Sequence, residues 1–222
     1  MELIKTIKVK ESIFADNNAE ADKLRLLLKK EKTFLLNLMS SPGSGKTTVL
    51  IKTIEMLRDE LKIGVMEADI DSAVDAEKVS QTGVEVIQIH TSGVCHLDSG
   101  MTKQGLETIG MSDFDLVVLE NVGNLVCPAE FDTGACANAM ILSVPEGDDK
   151  PLKYPLMFST VDVLLINKID VLDRFDFDVE AAKERAMKLN PKIMIFEVSA
   201  KTGEGFDNWI NWLRNRVSEW KE

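Results

Sequence analysis

The feature that most constrains this chain is an apolar run, residues 34–39, that passes into a loop with two glycines. Residues 40–48 read SSPGSGKTT, and the stretch from 49 to 61 has the pattern of an amphipathic helix. This order of strand, loop and helix is typical of a P-loop, which binds the phosphates of a nucleoside triphosphate. Gly43 and Gly45 allow backbone N–H groups to approach phosphate oxygens, and the following helix N-terminus adds a positive dipole. The sequence therefore predicts a nucleoside triphosphate site.

Two side chains of this loop have predicted roles. Lys46 would reach the β- and γ-phosphates, and the hydroxyl of Thr47 would ligate Mg²⁺. The motif usually opens with glycine, and Ser40 stands at that position. A turn that binds nothing is the alternative, and it is disfavoured by the placement of Gly-Lys-Thr between a strand and a helix. The nucleotide-binding residues predicted here are Gly43, Ser44, Gly45, Lys46, Thr47 and Thr48.

Apolar strands alternate with amphipathic helices along the rest of the chain. This pattern predicts an α/β fold with a doubly wound, mostly parallel sheet that carries helices on both faces, as in P-loop NTPases and G domains. The predicted strands are 34–39, 63–68, 84–90, 116–120, 139–144, 161–166 and 193–198. The predicted helices are 47–61, 73–81, 102–109, 178–189 and 205–220. Residues 145–155, with three prolines, are expected to be irregular.

The first 32 residues are expected to form a separate N-terminal segment ahead of a P-loop domain at 33–222. Residues 1–9 predict a short edge strand or a flexible arm. Residues 14–30 predict an amphipathic helix with Ala19, Leu24, Leu27 and Leu28 on one side. Packing of this helix onto the main domain is the simplest interpretation.

Charge and composition limit the partners of the chain. With 37 acidic and 26 basic residues, the net charge is -11 at pH 7. Proteins that bind nucleic acids present basic faces, so we expect no nucleic-acid partner. The sequence shows no secretory signal and no apolar run of membrane-spanning length, so we expect a cytoplasmic protein that contacts no membrane. Three cysteines then indicate thiols or metal ligands rather than a disulfide framework.

The base of the nucleotide is predicted from two motifs that follow strands in the second half. Residues 167–170 read NKID and residues 199–201 read SAK. Asp170 can accept paired hydrogen bonds from N1 and the 2-amino group of guanine, a donor pair that adenine lacks. Asn167 would contact the base edge and Lys168 would lie along the ring. The order of P-loop, NKxD and SAK resembles GTP-binding proteins over residues 33–205 and favours GTP over ATP. The residues predicted to bind the base are Asn167, Lys168, Asp170, Ser199, Ala200 and Lys201.

Mg²⁺ prefers oxygen ligands. Asp69 stands at the end of the second predicted strand, Asp75 lies in the acidic stretch that begins there, and Glu120 ends the fourth strand. The Mg²⁺ candidates beside Thr47 are Asp69, Asp75 and Glu120. Glu120 opens ENVG, where GTP-binding proteins usually read DxxG, and Gly123 is placed for its N–H to meet the γ-phosphate. The residues predicted to act in hydrolysis are Lys46, Asp75, Glu120 and Gly123. Asn124 stands where many GTPases carry the glutamine that orients water, so we expect slow intrinsic turnover.

A third constellation combines soft metal ligands. Cys95 and His96 are adjacent, and Cys127 lies four residues beyond Gly123. Thiolate and imidazole are the ligands expected for Zn²⁺ or Ni²⁺. The alternative is that Cys95 packs as a small apolar residue while His96 caps the next helix. Three ligands make an incomplete tetrahedral site, which water or a second subunit would complete. A symmetric dimer would bring six such ligands together.

Two further residues of these types are assigned structural roles. Cys136 precedes an apolar strand and is expected to pack, and His90 ends a strand pattern.

At these residues the chain resembles the HypB-type GTPases, SIMIBI-class P-loop proteins that help insert nickel into [NiFe]-hydrogenases. The segments that carry the resemblance are NLMSSPGSGKTT at 37–48, GVCHLD at 93–98 and ENVGNLVCPA at 120–129. That family also begins its P-loop with serine and uses ENVGNLVCP. The resemblance spans almost the whole chain.

The resemblance implies a homodimeric, Mg²⁺-dependent GTPase with a Cys-His…Cys nickel or zinc site at the dimer interface. It also implies a HypA-type nickel-binding partner and, indirectly, the hydrogenase large subunit as recipient. Nucleotide state would then control dimerisation and metal release. The N-terminal cysteine cluster and histidine-rich run of some members are absent here, and the arm at 1–13 is a candidate for partner docking. The alternatives are a chaperone GTPase for another metalloenzyme, a metal-independent GTPase, a small-metabolite kinase, or a translation or targeting factor.

Overall fold

The computed structural model describes residues 9–69, 74–91 and 93–222, with side chains at 14–68, 75–91 and 93–222. The arm predicted at 1–9 lies outside this part of the chain, apart from Val9, which begins the first helix. The helices are α1 (Val9–Glu31), α2 (Lys46–Leu57), α3 (Val74–Ser80), α4 (Ser99–Ile109), α5 (Cys127–Glu130), α6 (Lys150–Lys153), α7 (Pro155–Thr160), α8 (Val179–Leu189) and α9 (Phe206–Lys221). Short 3₁₀ helices occupy Met111–Asp113, Val144–Glu146 and Ile169–Arg174.

Seven parallel strands form one sheet in the order β3-β2-β4-β1-β5-β6-β7. The strands are β1 (Phe34–Ser40), β2 (Ile63–Asp69), β3 (Glu85–His90), β4 (Leu116–Glu120), β5 (Ala137–Ser143), β6 (Val163–Asn167) and β7 (Met194–Val198). All seven match predicted strands to within two residues at each end. The predicted doubly wound α/β fold is confirmed.

The central strand β1 is buried on both faces of the sheet. Phe34, Leu36 and Leu38 belong to the apolar core that includes α2 and α9. Leu35 and Met39 point to the opposite face, into the cores that include α4 and α8. Because side chains alternate along a strand, a run that is apolar on both faces apart from buried Asn37 fits a strand covered on both sides. The loop that follows β1 therefore opens at the carboxyl edge of the sheet, where ligands bind in such folds.

Helix α1 packs on this domain through a face that differs in part from the predicted one. Leu24 and Leu28 are buried as predicted, and Leu27 is half-buried. Ala19 is exposed, so its predicted place on the apolar side is wrong. Asn17 and Ala21 are buried instead, because a helix repeats every 3.6 residues and these two share a face with Leu24 and Leu28.

Residues 145–155 contain regular structure, contrary to the prediction of an irregular loop. Pro145, Pro151 and Pro155 each stand in the first turn of a short helix. The first turn of a helix tolerates proline because its backbone N–H groups have no partner inside the helix. The prolines therefore fit the starts of helices here.

Within the described residues, no helix is both long enough and apolar enough to cross a membrane.

Candidate functional site

The P-loop turns sharply between β1 and α2. Gly45 precedes the first residue of α2 at φ 93°, and Gly43 has φ 78°, backbone conformations that favour glycine. A Cβ atom at Gly45 would lie 2.7 Å from the side-chain nitrogen of Asn167. The loop is thus held against the residue that opens the NKID motif.

A cavity of about 630 Å³ lies over this loop. Its lining includes all of residues 40–48, together with Glu67, Asp75, Lys78, Gly123 and Lys168. Glu67 and Lys78 were missed at the sequence level. The signal for Glu67 is that it is the one carboxylate within the predicted strand 63–68; its pairing with Glu120 across β2 and β4 is a structural finding. The spacing of Lys78 three residues after Asp75 on α3 could have found the second.

Glu120 is fully buried at the end of β4 and contacts both functional side chains of the loop. Its Oε1 accepts hydrogen bonds from Lys46 Nζ at 3.0 Å and from the Thr47 hydroxyl at 2.8 Å. Its Oε2 is buried and has no hydrogen-bond partner within the described part of the chain. A buried carboxylate oxygen without a partner is costly, which favours a cation or water beside it.

Asp75 approaches the same place from α3. A hydrogen bond from Lys78 at 2.8 Å is the main cause that lowers the pKa of Asp75, and the hydroxyl of Thr47 and the charge of Lys46 add to it. The carboxylates of Asp75 and Glu120 thus lie by the hydroxyl of Thr47. Such a set of oxygen donors fits Mg²⁺. The side chain of Asp69, the third predicted candidate, lies outside the described residues.

The segment after Glu120 touches the P-loop. A Cβ atom at Gly123 would lie 3.4 Å from the backbone nitrogen of Pro42, so this glycine sits against the loop. The side-chain oxygen of Asn124 accepts a hydrogen bond from the backbone N–H of Val126 at 2.9 Å. Asn124 therefore closes the turn that leads into α5, the short helix that begins at Cys127.

A second cavity of about 320 Å³ opens beside the first, where the guanine base is predicted to bind. Asp170 and Lys201 line it, and the Ser199 hydroxyl donates to Asp170 Oδ1 at 2.7 Å. Asn167 donates to the Ser44 carbonyl at 3.0 Å and accepts from the Ala200 backbone N–H at 3.2 Å. Its amide thus joins the P-loop to the SAK loop, and a direct contact with the base edge stays a prediction.

Lys168 is one of two non-glycine residues with positive φ in the described chain, at 65°. Its ammonium group donates to the carbonyl of Gly43 at 2.7 Å. The side chain therefore spans from the base cavity to the phosphate loop.

The three predicted soft ligands meet between β3 and α4 on one side and β4 and α5 on the other. Among the described residues, Cys95, His96 and Cys127 form a group whose ligand atoms all lie within 4.8 Å of one another. The two sulfur atoms are 2.7 Å apart, and both cysteines are free thiols. The Nδ1 atom of His96 is buried with no hydrogen-bond partner in the described chain. Two thiols and an unpartnered imidazole nitrogen fit a soft divalent metal ion.

The surroundings of His96 keep its ring neutral and oriented. The ring stacks on Phe131 with centroids 3.7 Å apart and planes 14° apart. Burial lowers the pKa of His96, and a neutral imidazole is the form that binds metal. The hydrogen bond with Cys95 is the main cause that raises the pKa of Cys127, so metal binding at neutral pH would displace a proton from this thiol.

The alternative role of His96 as a helix cap is wrong. Asp98 is the N-cap of α4, and its side chain accepts from the Met101 backbone N–H at 2.8 Å. Cys136 and His90 lie outside the metal group, as expected. Burial raises the pKa of the Cys136 thiol to about 12, and its sulfur accepts from the Leu35 backbone N–H. His90 is exposed at the end of β3.

The P-loop contacts the NKID motif, and the segment from Gly123 to Cys127 joins the P-loop to the group of Cys95, His96 and Cys127. This arrangement is the one expected from the resemblance. The sequence profile described as "CobW/HypB/UreG, nucleotide-binding domain" matches residues 34–197. The chain belongs to this family.

Relatives within the family agree with this assignment. The chain is 44% identical to the hydrogenase maturation factor HypB of Azotobacter chroococcum over 95% of this chain and 69% of that protein. It is 39% identical to the hydrogenase/urease maturation factor HypB of Helicobacter pylori over 97% of this chain and 90% of that protein.

Solved structures of family members have the same fold. HypB from Archaeoglobus fulgidus matches with a TM-score of 0.85 at 40% identity, covering 91% of this chain and 99% of that one. Helicobacter pylori HypB in complex with nickel matches with a TM-score of 0.85 at 38% identity, covering 92% of this chain and 96% of that one. The family is therefore evident from both sequence and fold, and the chain carries its P-loop GTPase domain.

Proposed function

We propose that this chain is a GTP-hydrolysing metallochaperone that delivers nickel to [NiFe]-hydrogenase during maturation. The observation that carries the proposal is the segment from Gly123 to Cys127. At one end Gly123 sits against Pro42 of the phosphate loop, and at the other Cys127 belongs to the metal group. A change in the contacts of Gly123 with the γ-phosphate would move a metal ligand. The relatives named as hydrogenase maturation factors, one with a structure in complex with nickel, support nickel as the cargo.

Hydrolysis would be carried by the residues around the phosphate cavity. Lys46 would exchange its bond with Glu120 for one with the phosphates, and backbone N–H groups of the loop would hold the phosphate oxygens. Thr47, Asp75 and Glu120 would hold Mg²⁺, which neutralises phosphate charge when bound. Asp170 would read the guanine base, held in place by Ser199.

We expect slow turnover from the purified protein. Asn124 already uses its side-chain oxygen to accept from Val126, so it is poorly placed to orient a water molecule. The expected kcat is on the order of 10⁻³ s⁻¹ or slower, as for GTPases that lack a stimulating partner. Phosphate release at saturating GTP and Mg²⁺ measures it. Turnover of one per second or faster without a partner would contradict this expectation.

The metal assignment predicts that the thiols of Cys95 and Cys127 are needed for nickel binding and that the thiol of Cys136 is not. Cys95→Ala or Cys127→Ala should weaken nickel binding at least about tenfold, because a direct ligand is worth no less than the second-shell groups that orient it. Cys136→Ala should leave nickel affinity unchanged, since Cys136 lies outside the metal group. Calorimetric titration of the reduced proteins with Ni²⁺ and Zn²⁺ compares them. Nickel affinity equal to that of wild type in all three variants would overturn the nickel assignment and leave a GTPase with structural cysteines.

The partners follow from the incomplete ligand set. Three protein ligands leave a fourth position for water or a second subunit, and we propose a homodimer that shares this face. A HypA-type nickel-binding protein is the proposed donor, the hydrogenase large subunit the indirect recipient, and the cytoplasm the location. Zn²⁺ would compete for the same ligands. The division into an N-terminal segment at 1–32 and a GTPase domain at 33–222 is part of the proposal.

One observation favours a second recipient. The Helicobacter pylori relative is described as a hydrogenase/urease maturation factor. Nickel transfer assays with both apoenzymes would separate the two recipients. A small-metabolite kinase remains the rival of a different class, and transfer of the γ-phosphate to an acceptor other than water would revive it.

A further inference from the structure

Helix α1 carries a buried polar residue that the proposed mechanism does not use. Asn17 lies on the face of α1 that packs against the domain, and it is only 8% exposed. Asparagine has no packing advantage over alanine or leucine in such a place, and burying its amide costs free energy unless both polar atoms are bonded. Both polar atoms of the Asn17 amide therefore require partners.

The amide of Asn17 bonds to two segments far apart in sequence. Its side-chain oxygen accepts from the backbone N–H of Ser99 and from the Ser99 hydroxyl, both at 2.9 Å. Its side-chain nitrogen donates to the backbone carbonyl of Asp132 at 2.9 Å. The Ser99 hydroxyl also lies 3.1 Å from the backbone carbonyl of Asn17. One side chain thus joins Ser99 to Asp132.

These two segments are the continuations of the two halves of the metal group. Ser99 begins α4, three residues after His96, and Asp132 follows α5, five residues after Cys127. Phe131, next to Asp132, stacks on the ring of His96. The amide of Asn17 therefore links the segment that follows Cys95 and His96 to the segment that follows Cys127.

A second side chain of α1 holds only one of the halves. Arg25 pairs with the carboxylate of Asp132 and donates to the carbonyl of Ala135 at 2.9 Å. Within the described part of the chain, its hydrogen bonds and ion pairs reach Asp22, Asp132 and Ala135 and not the segment of Ser99, so it anchors the Cys127 side to α1 without spanning both. Asn17, by contrast, hydrogen-bonds to both segments.

We propose that Asn17 is a positioning residue of the metal centre. Its amide fixes the distance between the two ligand-bearing segments, so that helix α1 determines the ligand geometry without supplying a ligand. The expected effect on metal affinity rests on the proposed function. The expected effect on the spacing of the two thiols does not, because that spacing can be measured without a metal.

The metal-free test uses the two sulfur atoms themselves. In a glutathione redox buffer, the equilibrium between the Cys95 and Cys127 thiols and their disulfide gives an effective molarity, which depends on how closely the segments are held. Each disulfide formed releases two glutathione molecules from one oxidised glutathione. We expect Asn17→Ala to lower the effective molarity at least tenfold, with the disulfide located by mass spectrometry. Asn17→Asp keeps an acceptor for Ser99 but faces the carbonyl of Asp132 with an oxygen, and it should act in the same direction.

Two controls separate spacing from general loosening of α1. Asn18→Ala removes the same residue type at the next, exposed position and should match wild type. Leu28→Ala removes a buried apolar contact of α1 without touching the bridge, and it should lower the melting temperature with little change in effective molarity.

The metal test is a Co²⁺ titration of the same reduced proteins. Loss of a group that orients ligands typically weakens metal affinity about 10–100-fold, and we expect this for Asn17→Ala together with a changed d–d absorption spectrum. GTP turnover should stay within twofold of wild type. Wild-type effective molarity in Asn17→Ala and Asn17→Asp would overturn the proposal. If wild type itself binds no Co²⁺, the metal function fails, and the thiol equilibrium alone still decides the role of Asn17.

Discussion

Asp170→Asn should invert the base preference of the protein from guanine to xanthine nucleotides. The carboxylate accepts from two donors of guanine, whereas the amide of asparagine would place its NH₂ group against one of them. Xanthine carries an oxygen in place of the 2-amino group and would accept from that NH₂. Sites built to hydrogen-bond one group discriminate against its absence by about 10⁴–10⁵-fold, so a change in relative affinity of that size is expected.

Binding of fluorescent GDP and xanthosine diphosphate measures this change. Ser199 can still donate to the remaining oxygen of the new side chain, so the loop should keep its conformation. Asp173→Asn is the matched control, because Asp173 is an exposed carboxylate in the same 3₁₀ segment and does not line the cavity. A variant at 170 that still prefers GDP as wild type does would show that the base binds elsewhere.

Lys46→Ala should lower kcat/KM for GTP by about 10²–10³-fold, the usual loss when one preorganised donor is removed from a charged transition state. Lys46 begins the helix at the phosphate loop, and its side chain lines the cavity and is 13% exposed. Its contact with buried Glu120 places it where the phosphates and their cation meet.

Measurements of single-turnover hydrolysis and of GTP affinity separate the effect of this substitution on the chemical step from its effect on nucleotide binding. Lys52→Ala serves as the control, because Lys52 lies on the same helix outside the cavity and forms an ion pair with half-exposed Glu55. Melting temperatures of both variants are needed, since removing Lys46 leaves a buried carboxylate with a single hydroxyl partner. Hydrolysis that falls less than tenfold in a folded Lys46→Ala variant would contradict the proposed phosphate site.

The fold was largely predictable because its signals are local. Most strands are rich in apolar residues and bounded by polar or turn residues, and most helices of ten or more residues show a 3.6-residue period. The predictions failed where local patterns have two readings. Proline at 145, 151 and 155 suggested loops, yet each stands in the first turn of a short helix. Ala19 is apolar, as buried helix residues usually are, but it lies on the exposed side of α1.

The candidate site was predictable to the extent that its motifs follow strand ends. The group formed by Cys95, His96 and Cys127 assembles as expected, because β2 pairs with both β3 and β4 and so places the ends of these strands close together. Residues that act through tertiary hydrogen bonds gave no signal. Asn17 precedes its partner Asp132 by 115 positions, and nothing in a single sequence connects them.

Nickel affinity measured with GDP and with a slowly hydrolysed GTP analogue tests directly whether the nucleotide and metal sites are coupled. If Gly123 and Cys127 couple the two sites, the affinities should differ about 5- to 150-fold, the usual range of such coupling, and nickel should change nucleotide affinity by the same factor. Cys95→Ala/Cys127→Ala should abolish the difference while GTP binding persists, and oligomeric mass recorded in the same samples would show whether a dimer accompanies it. Nickel affinity that is the same with either nucleotide in the wild-type protein would contradict the account.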